Sequence, residues 1–239
     1  MEAYRQVKIL KNNQLTSDMY EMVVEVADKP EPGQFYMFSN WNGVPYLPRP
    51  FSVCDSDEKS LSILYQEVGK GTEIMTGMKP GDTISLLGPL GQGYPLKEGR
   101  VALVGGGVGI APLLYLAKKL QGPVDVYIGF RDEAFFIDRF KEYSDKVEVS
   151  TETGSLGHKG FVTELLEDKY EAVYACGNMA MMKAVKEKIH GLLYLSLESH
   201  MACGIGACLA CAQKTSQGMK TVCKDGPVFE SQEVLFDNY

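Results

Sequence analysis

Four of the six cysteines, Cys203, Cys208, Cys211 and Cys223, fall within 21 residues of the stretch SHMACGIGACLACAQKTSQGMKTVCKDG. Cysteines crowded in this way point to a metal site rather than to disulfides, given that the N-terminus MEAYRQVKIL lacks the apolar core of a secretory signal. The spacing Cys-x4-Cys-x2-Cys, with a fourth cysteine twelve positions on, is that of plant-type [2Fe–2S] sites, in which four thiolates hold two irons. Gly204, Gly206, Ala207 and Ala210 leave the backbone free to wrap the sulfurs and aim N–H groups at them, which stabilises the reduced state and tunes its potential. Zinc is the alternative, but structural zinc sites usually show two separated Cys-x2-Cys pairs, and only Cys208 and Cys211 make one. His200 reads as structural, because four thiolates complete a ligand set. Met201, Ile205 and Leu209 either shield the metal or form an apolar contact face.

Two upstream stretches suit phosphate-bearing ligands. Leu47-Pro48-Arg49-Pro50-Phe51-Ser52 offers a planar, permanently charged guanidinium for a diphosphate, with a small hydroxyl beside it for a flavin ring. Some twenty residues on, Val68-Gly69-Lys70-Gly71-Thr72 leads into a helical pattern, with Thr72 as cap or phosphate ligand. A third glycine-rich stretch, with Gly105, Gly106, Gly107, Gly109 and Pro112, lies between a strand and a helix pattern. It departs from G-x-G-x-x-G because position 110 is Ile, which disfavours a classical dehydrogenase. Asp132 and Glu133, after the next strand pattern, suit ribose hydroxyls and repel a 2′-phosphate, so NAD is expected over NADP, although Arg131 pulls the other way. Cys176-Gly177-Asn178 ends a further strand pattern, either facing a ligand or as a buried thiol before a helix cap.

The elements that must carry these residues divide the chain into three. Residues 1–97 are β-rich, with YEMVVEVA, QFYMFSN and LSILYQEV between Pro/Gly turns, and are expected to form a small antiparallel barrel. GPLGQGYPLKEG marks the boundary. In residues 98–191 strands (VALVGG, VDVYIGF, KVEVSTE, YEAVYACG) alternate with helices (APLLYLAKKLQG, RDEAFFIDRFKEYS, FVTELLEDK, NMAMMKAVKEKIHG), which favours a parallel α/β sheet. Residues 192–239 are loop-rich and hold the cysteines, closing on short strand patterns in KTVC and GPVF. A net charge of −7 without clustered Lys and Arg argues against nucleic acid. The longest apolar stretch, 101–117, is broken by four glycines and Pro112, so neither a membrane span nor a membrane partner is expected and the location is read as cytoplasmic.

Taken in this order, the motifs resemble the ferredoxin reductase family: an FAD barrel with Arg-Pro-x-Ser, then a nucleotide domain with a GGGVGIAP turn and a Cys-Gly-Asn strand end. With the C-terminal cysteine module added, the chain resembles the electron-transfer subunits of NAD-dependent dihydroorotate dehydrogenases over nearly its whole length. The resemblance implies a multidomain β and α/β fold, FAD and one [2Fe–2S] cluster as cofactors, NAD as substrate, and a role in pyrimidine biosynthesis. It implies an FMN-containing catalytic subunit that oxidises dihydroorotate as partner, in a heterotetramer with two copies of each chain. It further implies that Arg49, Pro50, Phe51, Ser52, Leu64, Tyr65, Gln66, Gly71 and Thr72 contact FAD. Gly105, Gly106, Gly107, Gly109, Pro112, Cys176 and Gly177 would face NAD, with Cys176 placing the nicotinamide, and the four clustered cysteines would hold the metal. Gln66 departs from the pattern, which has a basic residue after Leu-Tyr. The same motifs suit a ferredoxin:NAD(P) reductase or the flavin subunit of a sulfide dehydrogenase or hydrogenase, and the non-enzymatic alternative is a zinc-stabilised nucleotide-binding module.

Overall fold

The computed structural model describes residues 4–39 and 45–236. Six strands, β1 (Arg5–Gln14), β2 (Met19–Glu25), β3 (Phe35–Ser39), β4 (Arg49–Ser56), β5 (Ser60–Gln66) and β6 (Thr83–Leu90), close into an antiparallel barrel in the order β1-β2-β5-β4-β3-β6. Inward residues such as Met22, Val24, Phe38, Ile63 and Leu86 are buried and fill it. A short helix, α1 (Lys70–Thr76), caps one end. Gly69 precedes it and Gly77 closes it.

The second unit is a seven-stranded sheet. Its strands are β7 (Val101–Gly106), β8 (Val124–Phe130), β9 (Lys146–Thr151), β10 (His158–Lys159), β11 (Ala172–Cys176), β12 (Leu193–Ser196) and β15 (Val228–Glu230), in the order β10-β9-β8-β7-β11-β12-β15. All pairings are parallel except β12 with β15. VALV and VYI are buried throughout, as a sheet covered on both faces requires. Helices α2 (Ile110–Lys119), α3 (Ile137–Lys141) and α4 (Met179–Lys188) belong to this unit, and a hairpin of β13 (Ala212–Thr215) and β14 (Gly218–Thr221) stands apart. Among the described residues no helix is long and apolar enough to cross a membrane.

Several expected elements differ. The expected helix RDEAFFIDRFKEYS is helical only over Ile137–Lys141, because Phe136 takes a left-handed φ of 61° that turns Phe135 into the core. FVTELLEDK gives a single 3-10 turn, Val162–Glu164, where the Glu164 carboxylate accepts from the Phe161 N–H and bonds His158. The strand Leu193–Ser196 was not expected after residue 191, yet it pairs in register with β11. The third stretch therefore contributes two strands to the seven-stranded sheet, one before and one after the cysteines. The Arg-Pro-x-Ser motif opens β4.

The two units are tied by named contacts. Asp55 of β4 pairs with Lys118 of α2 at 2.7 Å and Arg139 of α3 at 3.2 Å, and Arg139 also reaches Glu21 of β2 at 2.7 Å. The Tyr115 hydroxyl donates to the Pro30 carbonyl at 3.0 Å.

Candidate functional site

The cysteine loop leaves the sheet after β12 and returns at β15. Gly204 (φ +74°) packs so closely on the barrel that a Cβ there would lie 2.7 Å from Met37 Cγ, and Gly206 (φ +78°) makes the second left-handed turn. These turns aim backbone donors at sulfur. The Gly206 N–H donates to Cys223 Sγ at 3.0 Å, Cys208 N–H to Cys203 Sγ at 3.4 Å, and Cys223 N–H to Cys211 Sγ at 3.4 Å. All four are free thiols, Cys211 and Cys223 buried, Cys203 half-buried and Cys208 exposed. Burial pushes the Cys203 thiol up, but backbone N–H groups of Ile205, Cys208 and Ala207 outweigh it and bring it down to about 6. Burial and the neighbouring Cys211 thiol push Cys223 up to about 12.

Cys203 interacts with Cys208, and Cys223 with both Cys211 and Cys203, so the four thiols form one group. Among the described residues no three His, Cys, Asp or Glu side chains meet around one ion position. Four thiols cradled by backbone N–H groups are a donor set that suits a [2Fe–2S] cluster. Of the three apolar residues beside them, Met201 is buried in the core, whereas Ile205 and Leu209 are 53% and 64% exposed.

At the barrel end, residues distant in sequence meet. A Cβ on Gly71 would lie 3.1 Å from Arg49 Nε, so the guanidinium passes directly over the glycine turn. Arg49 donates to the Leu47 carbonyl at 2.6 Å, and among the described residues no carboxylate pairs with it. A lone half-buried guanidinium beside a side-chain-free turn fits a diphosphate. Thr72 acts as a cap: its buried Oγ1 accepts from the N–H groups of Val68 and Gly69 and donates to the Gly69 carbonyl. Ser52 is half-buried on β4 beside Phe51, whose ring lies 6.0 Å from that of Tyr65 on neighbouring β5. Leu64 and Tyr65 are buried, while Gln66 is exposed and donates to Asp18 at 2.6 Å. Pro50 pairs with Met37 in the β3–β4 ladder.

In the sheet, strand order reverses between β7 and β11, which is the switch point at whose carboxyl end open α/β sheets bind ligands. Gly105 and Cys176 are register partners there. Most glycines of the turn serve packing. A Cβ on Gly109 would sit 2.5 Å from the Cys176 carbonyl oxygen, one on Gly105 2.8 Å from Ile110, and ones on Gly106 and Gly177 against Met181. Gly107 alone (φ +54°) has open space above it. Pro112 is buried inside α2. Burial pushes the Cys176 thiol up to about 12, with Ser196 drawing it partly down. The carboxylates after β8 are already engaged: Glu133 accepts from the Ser17 N–H and hydroxyl, and Asp132 from the Thr153 hydroxyl at 2.6 Å.

Among the described residues two buried hydroxyls have no hydrogen-bond partner, and neither stands out in the sequence. Ser150 Oγ lies near the end of β9, beside its register partner Gly129, and Tyr94 packs edge-on to Tyr174 of β11. Orphaned polar atoms of this kind suit a site that gains polar partners from a ligand.

Residues 198–235 match the family model described as the iron–sulfur cluster binding domain of dihydroorotate dehydrogenase B. A dihydroorotate dehydrogenase B (NAD(+)), electron transfer subunit from Clostridium perfringens is 46% identical over 246 residues, covering 98% of both chains. One of the same description from Clostridium acetobutylicum is 42% identical, covering 99% of both. A solved NADH-dependent reduced ferredoxin-NADP oxidoreductase superposes with TM-score 0.86 at 32% identity, covering 95% of this chain and 89% of that one. A ferredoxin NADP+ reductase from Neisseria gonorrhoeae, at TM-score 0.62 and 21% identity over 77% of this chain and 89% of that one, shares the fold. With relatives this similar along its full length, the chain belongs to the family of dihydroorotate dehydrogenase B (NAD(+)) electron transfer subunits.

Proposed function

We propose that the chain conducts electrons from the FMN of a dihydroorotate-oxidising partner to NAD+, holding a [2Fe–2S] cluster on Cys203, Cys208, Cys211 and Cys223 and FAD at the barrel end. The observation that carries this is the N–H-lined group of four cysteines, mounted between the barrel and the parallel sheet. When bound, the cluster supplies one-electron transfer, and FAD supplies the exchange between single electrons and hydride. Arg49 pairs with the flavin diphosphate, Gly71 keeps the turn clear for it, and Ser52, Phe51 and the 64–66 strand end flank the ring. The open face of Gly107 and the Cys176-Gly177 strand end receive NAD, with Ser150 and Tyr94 gaining partners on binding. Asp132 and Glu133 disfavour a 2′-phosphate at the end of β8.

Exposed Ile205 and Leu209 beside exposed Cys208 form the face toward the partner, in a complex with two copies of each subunit. The free state of all six cysteines suits the reducing cytoplasm. The likeness to an NADH-dependent reduced ferredoxin-NADP oxidoreductase favours a second reading, a ferredoxin-linked oxidoreductase. Absorbance of purified protein tests the cofactors: flavin bands with iron–sulfur shoulders are expected, and their absence returns the zinc reading. Reconstitution with the FMN-containing subunit tests the donor. Dihydroorotate-dependent NAD+ reduction is expected; reduction driven only by ferredoxin supports the second reading.

A further inference from the structure

Asn12 of β1 makes a connection that neither the glycine turn nor the Arg-Pro-x-Ser motif explains. Its Nδ2 donates to the Met75 carbonyl at 2.7 Å and the Met78 carbonyl at 3.0 Å, closing the C-terminal end of α1. Its Oδ1 accepts from the Tyr65 hydroxyl at 2.8 Å. Both ends of one amide are thus used, one on the helix that follows the glycine turn and one on β5. Tyr65 in turn stacks on Tyr20 at 5.3 Å and meets Phe51, which meets Phe38 at 5.6 Å. The aromatic row passes through the Arg-Pro-x-Ser motif at Phe51. Asn12 is half-buried on a strand that carries none of the motifs.

We propose that Asn12 is a positioning residue for the flavin site. It fixes the distance between α1, whose turn places Gly71 against Arg49, and β5, whose Tyr65 supports Phe51. The inference rests on the reading that FAD binds at this end of the barrel. Glycine turns have many conformations open to them, and α1 spans only two turns, too short to hold itself. Without Asn12 the Met75 carbonyl keeps its backbone donor, the Met78 N–H, but α1 loses its side-chain tie to β1, so Arg49 no longer meets a fixed turn.

The test uses the holoprotein, reversibly stripped of flavin, and compares N12A, Y65F and R49A. FAD affinity is read from flavin fluorescence on titration, and cluster integrity from visible circular dichroism. Asn12→Ala should weaken FAD binding about tenfold, and Tyr65→Phe, which loses one hydrogen bond, about threefold. Cluster dichroism and apo-protein melting should change little in Y65F. An FAD affinity within twofold of wild type in N12A, with R49A strongly impaired, overturns the positioning role. Unimpaired binding in R49A as well overturns the flavin reading beneath it. Equal losses of FAD affinity and of cluster signal in both Asn12 and Tyr65 variants mark a merely structural role and also overturn the proposal.

Discussion

Gly109→Ala tests the crevice most directly. The backbone there is ordinary (φ −63°), so alanine meets no conformational strain and the effect is purely steric. The new Cβ would lie 2.5 Å from the Cys176 carbonyl oxygen, 2.7 Å from its carbon and 2.8 Å from the Gly177 nitrogen. These are backbone atoms of a central strand and cannot rotate away. Restoring normal contact means moving the turn by about 1 Å, at a cost of roughly 1–3 kcal/mol. In a chain of this size that lowers Tm by roughly 3–10 °C. A displacement of about 1 Å in a positioning element can lower turnover efficiency by as much as ~100-fold. KM for NADH in dye reduction should therefore rise more than tenfold, while FAD and cluster spectra stay intact. Gly81→Ala, in the barrel half and outside the crevice, is the control: it costs about 1 kcal/mol for its positive φ and meets no atom. Unchanged KM and Tm in G109A would refute the packing argument.

Cys208→Ser should abolish electron exchange with the partner subunit while NADH-to-dye activity persists; loss of dye reduction in folded, FAD-loaded protein would count against the assigned order of carriers. Asp125, 1% exposed at the start of β8, accepts from Arg100 at 2.8 Å and from Tyr170 at 2.9 Å, and Tyr170 bonds Tyr127 at 2.6 Å. Asp125→Ala should cost about 3 kcal/mol in chemical denaturation, and a loss below about 1 kcal/mol would show the network to be dispensable. For Asp28, burial raises its carboxyl, but the bonds from Arg5 and the Tyr36 hydroxyl outweigh it and hold it below the ordinary 3.8. A depressed carboxylate stabilises the fold fully above the unfolded value and loses that contribution as pH falls through the folded one. Melting profiles of Asp28→Asn should therefore be flatter than wild type below about pH 4, and parallel profiles would sink the assignment.

Much of this molecule could be read from local pattern. The strands of the barrel and sheet announce themselves as β-branched and aromatic runs between Pro and Gly. The glycine stretches signalled backbone close to something, although at Gly109 that something is the Cys176 carbonyl rather than a phosphate. What escaped was set by distant neighbours. Leu193–Ser196 is too short to show a period and becomes a strand because β11 and β15 flank it. The helix expected over 131–144 is broken by the demand of Phe135 and Phe136 for the core and for Arg139. Ser150, Tyr94 and Asn12 are unremarkable in a linear chain. Their meaning comes from an unmet hydroxyl or from carbonyls more than sixty residues away.

The return of the chain at β15 changes what kind of object the metal loop is. Residues 197–227 leave from one strand and rejoin at its antiparallel neighbour, about 5 Å away. Topologically they form an overgrown hairpin loop on the rim of a sheet. The sheet has already closed the loop, so the cysteines are gathered before any metal arrives, and much of the entropy of assembling distant ligands is met by folding itself. Gln92 adds a third mooring by bonding the Gly226 carbonyl at 2.6 Å. A device mounted this way is transplantable. Any parallel sheet of this kind that ends in a β12–β15 pair offers the same two adjacent strand ends, and a reductase can gain or lose its one-electron port there without rebuilding either flavin barrel or nucleotide crevice.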